Sequence, residues 1–183
     1  MIRSVCVFCG SAPGARASYS AAAEELGTAL AHRGITLVYG GGRLGLMGIV
    51  AEAALKAGGR VVGVIPRMLI ERELAHVKLT QQHVVDTMHE RKTLMADMSD
   101  GFVGLPGGMG TFDELVEIVT WAQLGLHAKP VILANIENYF DKMYEMLDYA
   151  VAEKFVTAES RARWRNAGSV TQVMQILAGE GIS

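Results

Sequence analysis

The feature that most constrains this chain is a repeated alternation of short, uninterrupted apolar runs with longer Ala- and Leu-rich stretches of helical period. The runs at 4–9, 35–39, 61–65, 102–105 and 131–134 are apolar or small at successive positions, not at every second one. A strand can be apolar on both sides only if both faces of its sheet are covered, as in a parallel sheet with crossover helices above and below. Right-handed crossovers then predict an α/β fold: a Rossmann-like doubly wound parallel sheet in a single three-layer domain. Helices are expected over 19–33, 46–57, 88–98 and 112–124, with a short one near 68–74 and others near 139–153, 159–164 and 171–178. A weak strand is expected at 84–85, and the run at 131–134 is the last clear strand. No repeat or linker divides residues 1–183, so they are expected to form one domain.

Charge and composition exclude several functions. The net charge of −2 and the lack of a Lys/Arg run offer no footprint for nucleic acid. The longest uncharged apolar stretch, near 44–51, stops at Glu52, short of the roughly 20 residues a membrane span needs. The apolar run after Arg3 is too short for a signal peptide, so a cytoplasmic location is expected. Charged residues make up 20% of the chain, below the roughly 25% of an average soluble domain, so self-association is expected to cover apolar surface. Cys6 and Cys9 have redox spacing, but a strand points residues three apart to opposite faces, so they read as small core residues. The five histidines have no metal-ligand spacing, and neither a metal nor a cofactor is expected.

In a doubly wound sheet, ligands bind beyond the carboxyl ends of the strands, and two glycine-rich loops occupy such places. Gly40-Gly41-Gly42-Arg43-Leu44-Gly45 fits the G-x-G-x-x-G spacing between a strand and a helix. No acid ends the next strand, which closes Ile65-Pro66-Arg67, so a dinucleotide site is disfavoured; tight turns and close helix packing, or another nucleotide-facing loop, remain open. Pro106-Gly107-Gly108-Met109-Gly110-Thr111 brings bare backbone to a helix start, where an anion is stabilised, and lacks the Gly-Lys-Ser/Thr of a Walker loop. Thr111 with Glu114, and Thr87 with Glu90, each have the spacing of a capping box. Arg91 and Lys92 lie near a helix start, where cations oppose the helix dipole; that placement suits either an anionic ligand or a solvated charged face. Pyridoxal chemistry needs a buried lysine beside a supporting acid, and no lysine has such a setting.

Taken together, Gly40 to Gly48, Met88-His89-Glu90-Arg91-Lys92, Pro106-Gly107-Gly108-Met109-Gly110-Thr111-Phe112-Asp113-Glu114, Thr120-Trp121-Ala122-Gln123-Leu124-Gly125 and Lys129-Pro130 resemble the LOG ("Lonely Guy") family of cytokinin riboside 5′-monophosphate phosphoribohydrolases. The resemblance runs from Cys6 to about Val156. It implies a Rossmann-like dimer or larger oligomer that hydrolyses the base–sugar bond of adenine-type nucleoside monophosphates. By the motifs, Arg91 and Glu114 would be catalytic, and Glu73, Lys92, Gly107, Gly108, Met109, Gly110, Thr111 and Thr120 would contact substrate. Gly42, Leu44 and Met88 are candidates for the base pocket. A non-hydrolytic nucleotide- or cofactor-binding carrier of the same fold is the alternative reading.

Overall fold

The computed structural model describes residues 1–70, 75, 76 and 78–179. Its strands are β1 (Ser4–Phe8), β2 (Thr36–Tyr39), β3 (Val61–Pro66), β4 (Gln81–Val85), β5 (Gly101–Gly104), β6 (Val131–Ala134) and β7 (Trp164–Ala167). They form one seven-stranded sheet in the order β4-β3-β2-β1-β5-β6-β7, with every pairing parallel. The chain winds outward from β1 through β4, returns to lay β5 beside β1, and winds outward the other way. That reversal opens a crevice between the carboxyl ends of β1 and β5, where ligands bind in sheets of this kind.

The helices are α1 (Ala17–His32), α2 (Gly45–Lys56), α3 (Met88–Asp97), α4 (Met109–Gln123), α5 (Asp141–Ala152), α6 (Ala158–Ala162) and α7 (Val170–Ala178). Alternate residues of each strand feed two cores. Val5, Val7, Leu37 and Tyr39 pack with Leu26, Leu46, Val50 and Val173 of α1, α2 and α7. Cys6, Phe8, Val38, Val64 and Phe102 pack with Met95, Leu115, Ile118 and Tyr144 of α3, α4 and α5. The central strands are therefore apolar or small along both sides because both faces are covered. The doubly wound, three-layer expectation is met. Cys6 and Cys9 are free and belong to opposite cores, as the alternation along a strand requires.

Expectation and structure differ at both edges of the sheet. The helix expected over 159–164 is α6, which ends at Ala162, and Trp164 opens an additional strand, β7. Only Trp164 and Ala167 of β7 are buried, so its sequence carries no continuous apolar run. At the other edge β4 begins at Gln81, because an edge strand paired on one side tolerates polar residues. A 3₁₀ turn, Arg67–Leu69, opens the segment expected to form a short helix; residues 71–74 lie outside the described residues. Among the described residues no helix is long and apolar enough to cross a membrane.

One histidine ties α4 to the loop that leads into β6. His127 Nε2 lies 2.9 Å from the Ile118 carbonyl oxygen, and its Nδ1 accepts the Lys129 N–H at 3.2 Å. Lys129 in turn donates to the Ala96 carbonyl near the end of α3, at 2.9 Å. Accepting at Nδ1 requires a neutral ring that donates through Nε2. Burial pushes the His127 pKa below its ordinary value; the Ile118 bond opposes that shift, and the Lys129 and Arg163 charges add to it. A depressed histidine pKa gives stability that is complete above the unfolded value, about 6.5, and is lost as pH falls toward the folded value. The melting temperature is expected to drop between about pH 7 and pH 5, and more shallowly in His127→Gln. An unchanged slope in the variant, measured by thermal denaturation across that range, would contradict this assignment.

Candidate active site

A cleft of about 250 Å³ occupies the crevice above β1 and β5. Phe8, Cys9, Gly10 and Ser11 form its floor, Gly40 and Met47 one wall, Met88, Arg91 and Met95 a second, and the start of α4 with Glu114 a third. The loops after β1 and β5 are laced together below it. Leu105 N–H donates to Phe8 O at 2.9 Å, Gly10 N–H to Pro106 O at 3.0 Å, and Met47 N–H to Gly10 O at 3.3 Å.

Arg91 enters the cleft from a helix whose start is fixed. Thr87 caps α3 by accepting the Glu90 N–H at 3.1 Å, while Glu90 Oε2 accepts from Thr87 N–H at 3.4 Å and Asp86 N–H at 2.9 Å. The expected capping box is present. It leaves Arg91 facing the ends of β2 and β3, where it is 4% exposed. Its Nε donates to the Val64 carbonyl at 3.2 Å and its Nη2 to the Gly40 carbonyl at 3.0 Å. A Cβ at position 40 would lie 2.1 Å from Nη2, so this residue is glycine to admit the guanidinium. An arginine bonded to two backbone carbonyls presents a charge in one fixed orientation.

The loop after β5 corrects one expectation. Thr111 and Glu114 do not form a capping box: α4 begins at Met109, and Gly108 is its N-cap with no side-chain hydrogen bond. Thr111 instead turns inward, 3% exposed, against Gly107, where a Cβ would sit 2.1 Å from its hydroxyl oxygen. The opening turn of a helix leaves its N–H groups without intrahelical partners, and they lie where the cleft opens. At Gly108 and Gly110 a Cβ would meet nothing within 4 Å, so packing does not demand glycine at either position. Glu114, one turn further along α4, lines the cleft. Burial pushes the Cys6 and Cys9 thiols up; the Glu114 carboxylate adds to this and the Arg91 charge opposes it. Both charges are thus felt at the carboxyl end of β1.

The structure brings together Met88, Arg91, Gly108, Met109, Gly110, Thr111 and Glu114. Other candidates stand apart from that lining. Lys92 is held by α4, its ammonium 2.9 Å from Glu117 and 3.1 Å from Asp113. Burial disfavours that charge, but the bonds and charges of Glu117 and Asp113 outweigh it and hold the pKa above its ordinary value. Thr120 donates to the Val116 carbonyl at 2.8 Å on the outer face of α4. Gly42 pairs with Ala75 in an isolated antiparallel bridge, and Leu44 is the exposed N-cap of α2; among the described residues neither belongs to the lining of the cleft. Gly40, which makes room for Arg91, and Gly45, which lies against the backbone of Ser11 and Ala12, have packing roles that account for a glycine cluster mimicking a dinucleotide loop. Gly107 belongs to an adjoining cavity of about 280 Å³, shared with Tyr139. Glu73 lies outside the described residues. The sequence alone did not mark Gly10 and Ser11, whose place at the site follows from the neighbouring of β1 and β5, or Met47 and Met95, which α2 and α3 carry to the cleft.

A protein family described as "possible lysine decarboxylase" matches residues 47–177. A cytokinin riboside 5′-monophosphate phosphoribohydrolase of Oryza sativa subsp. japonica is 50% identical over 87% of this chain and 66% of its own length. The chain thus spans slightly less than two thirds of that relative. An Arabidopsis thaliana protein of the same description is 46% identical over 94% of this chain and 81% of its own length. Among solved structures, the molybdenum cofactor carrier protein of Chlamydomonas reinhardtii superposes with a TM-score of 0.73, covering 98% of each chain at 20% identity, which shows the shared fold.

The decarboxylase description implies pyridoxal phosphate, and the lysines do not fit it. None lines the cleft; Lys92 is held by two carboxylates and Lys129 by a carbonyl. Among the described residues no group of three His, Cys, Asp or Glu side chains is placed to hold a metal ion.

Two glycine substitutions separate packing from ligand access. Gly40→Ala is expected to displace Arg91 and destabilise the fold by about 1–3 kcal/mol, as overpacking does. Gly110→Ala, in the first turn of α4, is expected to leave stability unchanged or raise it by up to about 1 kcal/mol. Denaturant unfolding of both variants checks the contrast, and equal effects would refute it.

Proposed function

This chain belongs to the LOG family of phosphoribohydrolases, and on that premise we propose that it hydrolyses the N-glycosidic bond of adenine-type nucleoside 5′-monophosphates. Water supplies a hydroxyl to the anomeric carbon and a proton to the base, giving free base and ribose 5-phosphate. The observation that carries this reading is the convergence of Arg91, Glu114 and the glycine-bordered start of α4 on one cleft.

In that reading the 5′-phosphate rests on the amides at the start of α4, where Gly108 and Gly110 leave the backbone uncovered. Glu114 faces the anomeric carbon. The transition state of this cleavage is oxocarbenium-like, and a fixed carboxylate stabilises its positive charge or orients the attacking water with little reorganisation. Arg91 binds the ribose hydroxyls or the phosphate and aligns the sugar against Glu114, a task its two backbone bonds prepare it for. Met47 on one wall and Met88 and Met95 on the second offer apolar surface for a base with or without a prenyl group. No step passes through a metal or an organic cofactor.

The same reading carries a cytoplasmic address and self-association. The outer face and end of α4 expose Val116 (48%), Leu124 (68%) and Leu126 (68%), a surface suited to a second copy. Val116→Asp with Leu124→Asp is expected to lower the oligomeric mass in sedimentation, and an unchanged mass would remove this surface from the interface.

Incubation with AMP and, separately, isopentenyladenosine monophosphate, followed by chromatography, tests the activity and ranks the substrates. Glu114→Gln is expected to lose about 100-fold or more in rate, the scale of a lost electrostatic stabiliser. Arg91→Lys is also expected to be impaired, because a point charge does not replace a planar fork. Equal rates in Glu114→Gln would sink the catalytic role of that residue. Absence of base release, together with a thermal shift on nucleotide addition, would favour the carrier reading.

A further inference from the structure

We propose that Tyr139 is a positioning residue that sets the orientation of the Gly107–Gly108 peptide and so presents the Gly108 N–H to the phosphate of the substrate. This rests on the reading of the cleft given above. The Tyr139 hydroxyl donates to the Gly107 carbonyl oxygen. No cis peptide occurs among the described residues, so this carbonyl and the N–H of Gly108 point in opposite directions across one plane. Gly107 and Tyr139 line the cavity behind the loop, whereas Gly108 borders both that cavity and the cleft. Holding the carbonyl toward the rear turns the amide toward the front. A peptide between two glycines has an otherwise low barrier to the opposite orientation, because neither residue carries a Cβ to oppose it.

The tyrosine is itself held in place. It follows a turn in which Glu137 and Asn138 have positive φ of 54° and 59°. The buried Asn135 secures that turn, accepting the Phe140 N–H and donating to Asp141, each at 2.7 Å. The Tyr139 ring packs edge-on against Tyr19 at 5.7 Å and Phe140 at 5.0 Å, and stacks on Phe112 of α4 at 6.5 Å. These contacts use the ring alone. The hydroxyl is therefore separable from the packing, and Tyr139→Phe removes the one without the other.

The experiment measures ribose 5-phosphate and ribose binding by calorimetry in wild type, Tyr139→Phe and Tyr19→Phe, alongside kcat and KM for AMP hydrolysis. Tyr139→Phe is expected to melt near the wild-type temperature, to bind ribose 5-phosphate about fivefold or more weakly, and to raise KM similarly with kcat changed less than about twofold, the scale of one hydrogen-bonded amide lost to an anion. Ribose binding and the Tyr19→Phe variant should match wild type. Unchanged ribose 5-phosphate affinity in folded Tyr139→Phe, an equal loss in Tyr19→Phe, or no binding by wild type would overturn the proposal. Failure of wild type to release base would count against hydrolysis alone, since the binding measurements decide the role of Tyr139 without turnover.

Discussion

The pairing of the Arg91 guanidinium with the carbonyls of Gly40 and Val64 is the interaction on which the rest of the site depends. A charge this deeply buried is costly unless its donors are satisfied, and two of its bonds go to backbone at the ends of β2 and β3. That requirement reaches outward. It leaves no room for a side chain at position 40 unless the guanidinium moves. It also fixes the approach of α3, whose start is set by the reciprocal bonds of Thr87 and Glu90.

The opposite wall follows a different principle. The winding reversal sets β5 beside β1, and the start of α4 then projects over the crevice between them. Thr111, buried against Gly107, seals the base of the loop, leaving Gly108, Gly110 and the opening amides of α4 as the surface offered to a ligand. Glu114 stands one turn above that surface. A cation on one wall, helix-start amides and a carboxylate on the other give a phosphorylated sugar a fixed bed between two charged groups, which is the premise of the proposed hydrolysis.

Much of this was legible in the amino-acid sequence because the central strands are covered on both faces, and that coverage imprints continuous apolar runs. The edges were not legible for the complementary reason: β4 and β7 are paired on one side only, and their exposed polar residues erase the pattern. Thr111 and Glu114 have capping-box spacing, yet tertiary packing draws Thr111 inward and moves the helix start back to Met109. The residues Gly40 to Gly45 imitate a dinucleotide loop, but Gly40 makes room for an arginine more than fifty positions away in sequence and Gly45 for the backbone of Ser11 and Ala12. Spacing along the chain carries no trace of such contacts. Gly10 and Ser11 escaped notice because their place at the site depends on strand order, which local sequence does not encode.

The most direct test of the account is a crystal structure of the Glu114→Gln variant with bound AMP, in which slowed turnover preserves the substrate. The phosphate is expected on the amides at 108–111, with the ribose between Arg91 and the side chain at position 114. A phosphate seated instead on the 40–45 loop, or a ribose remote from Arg91, would contradict it.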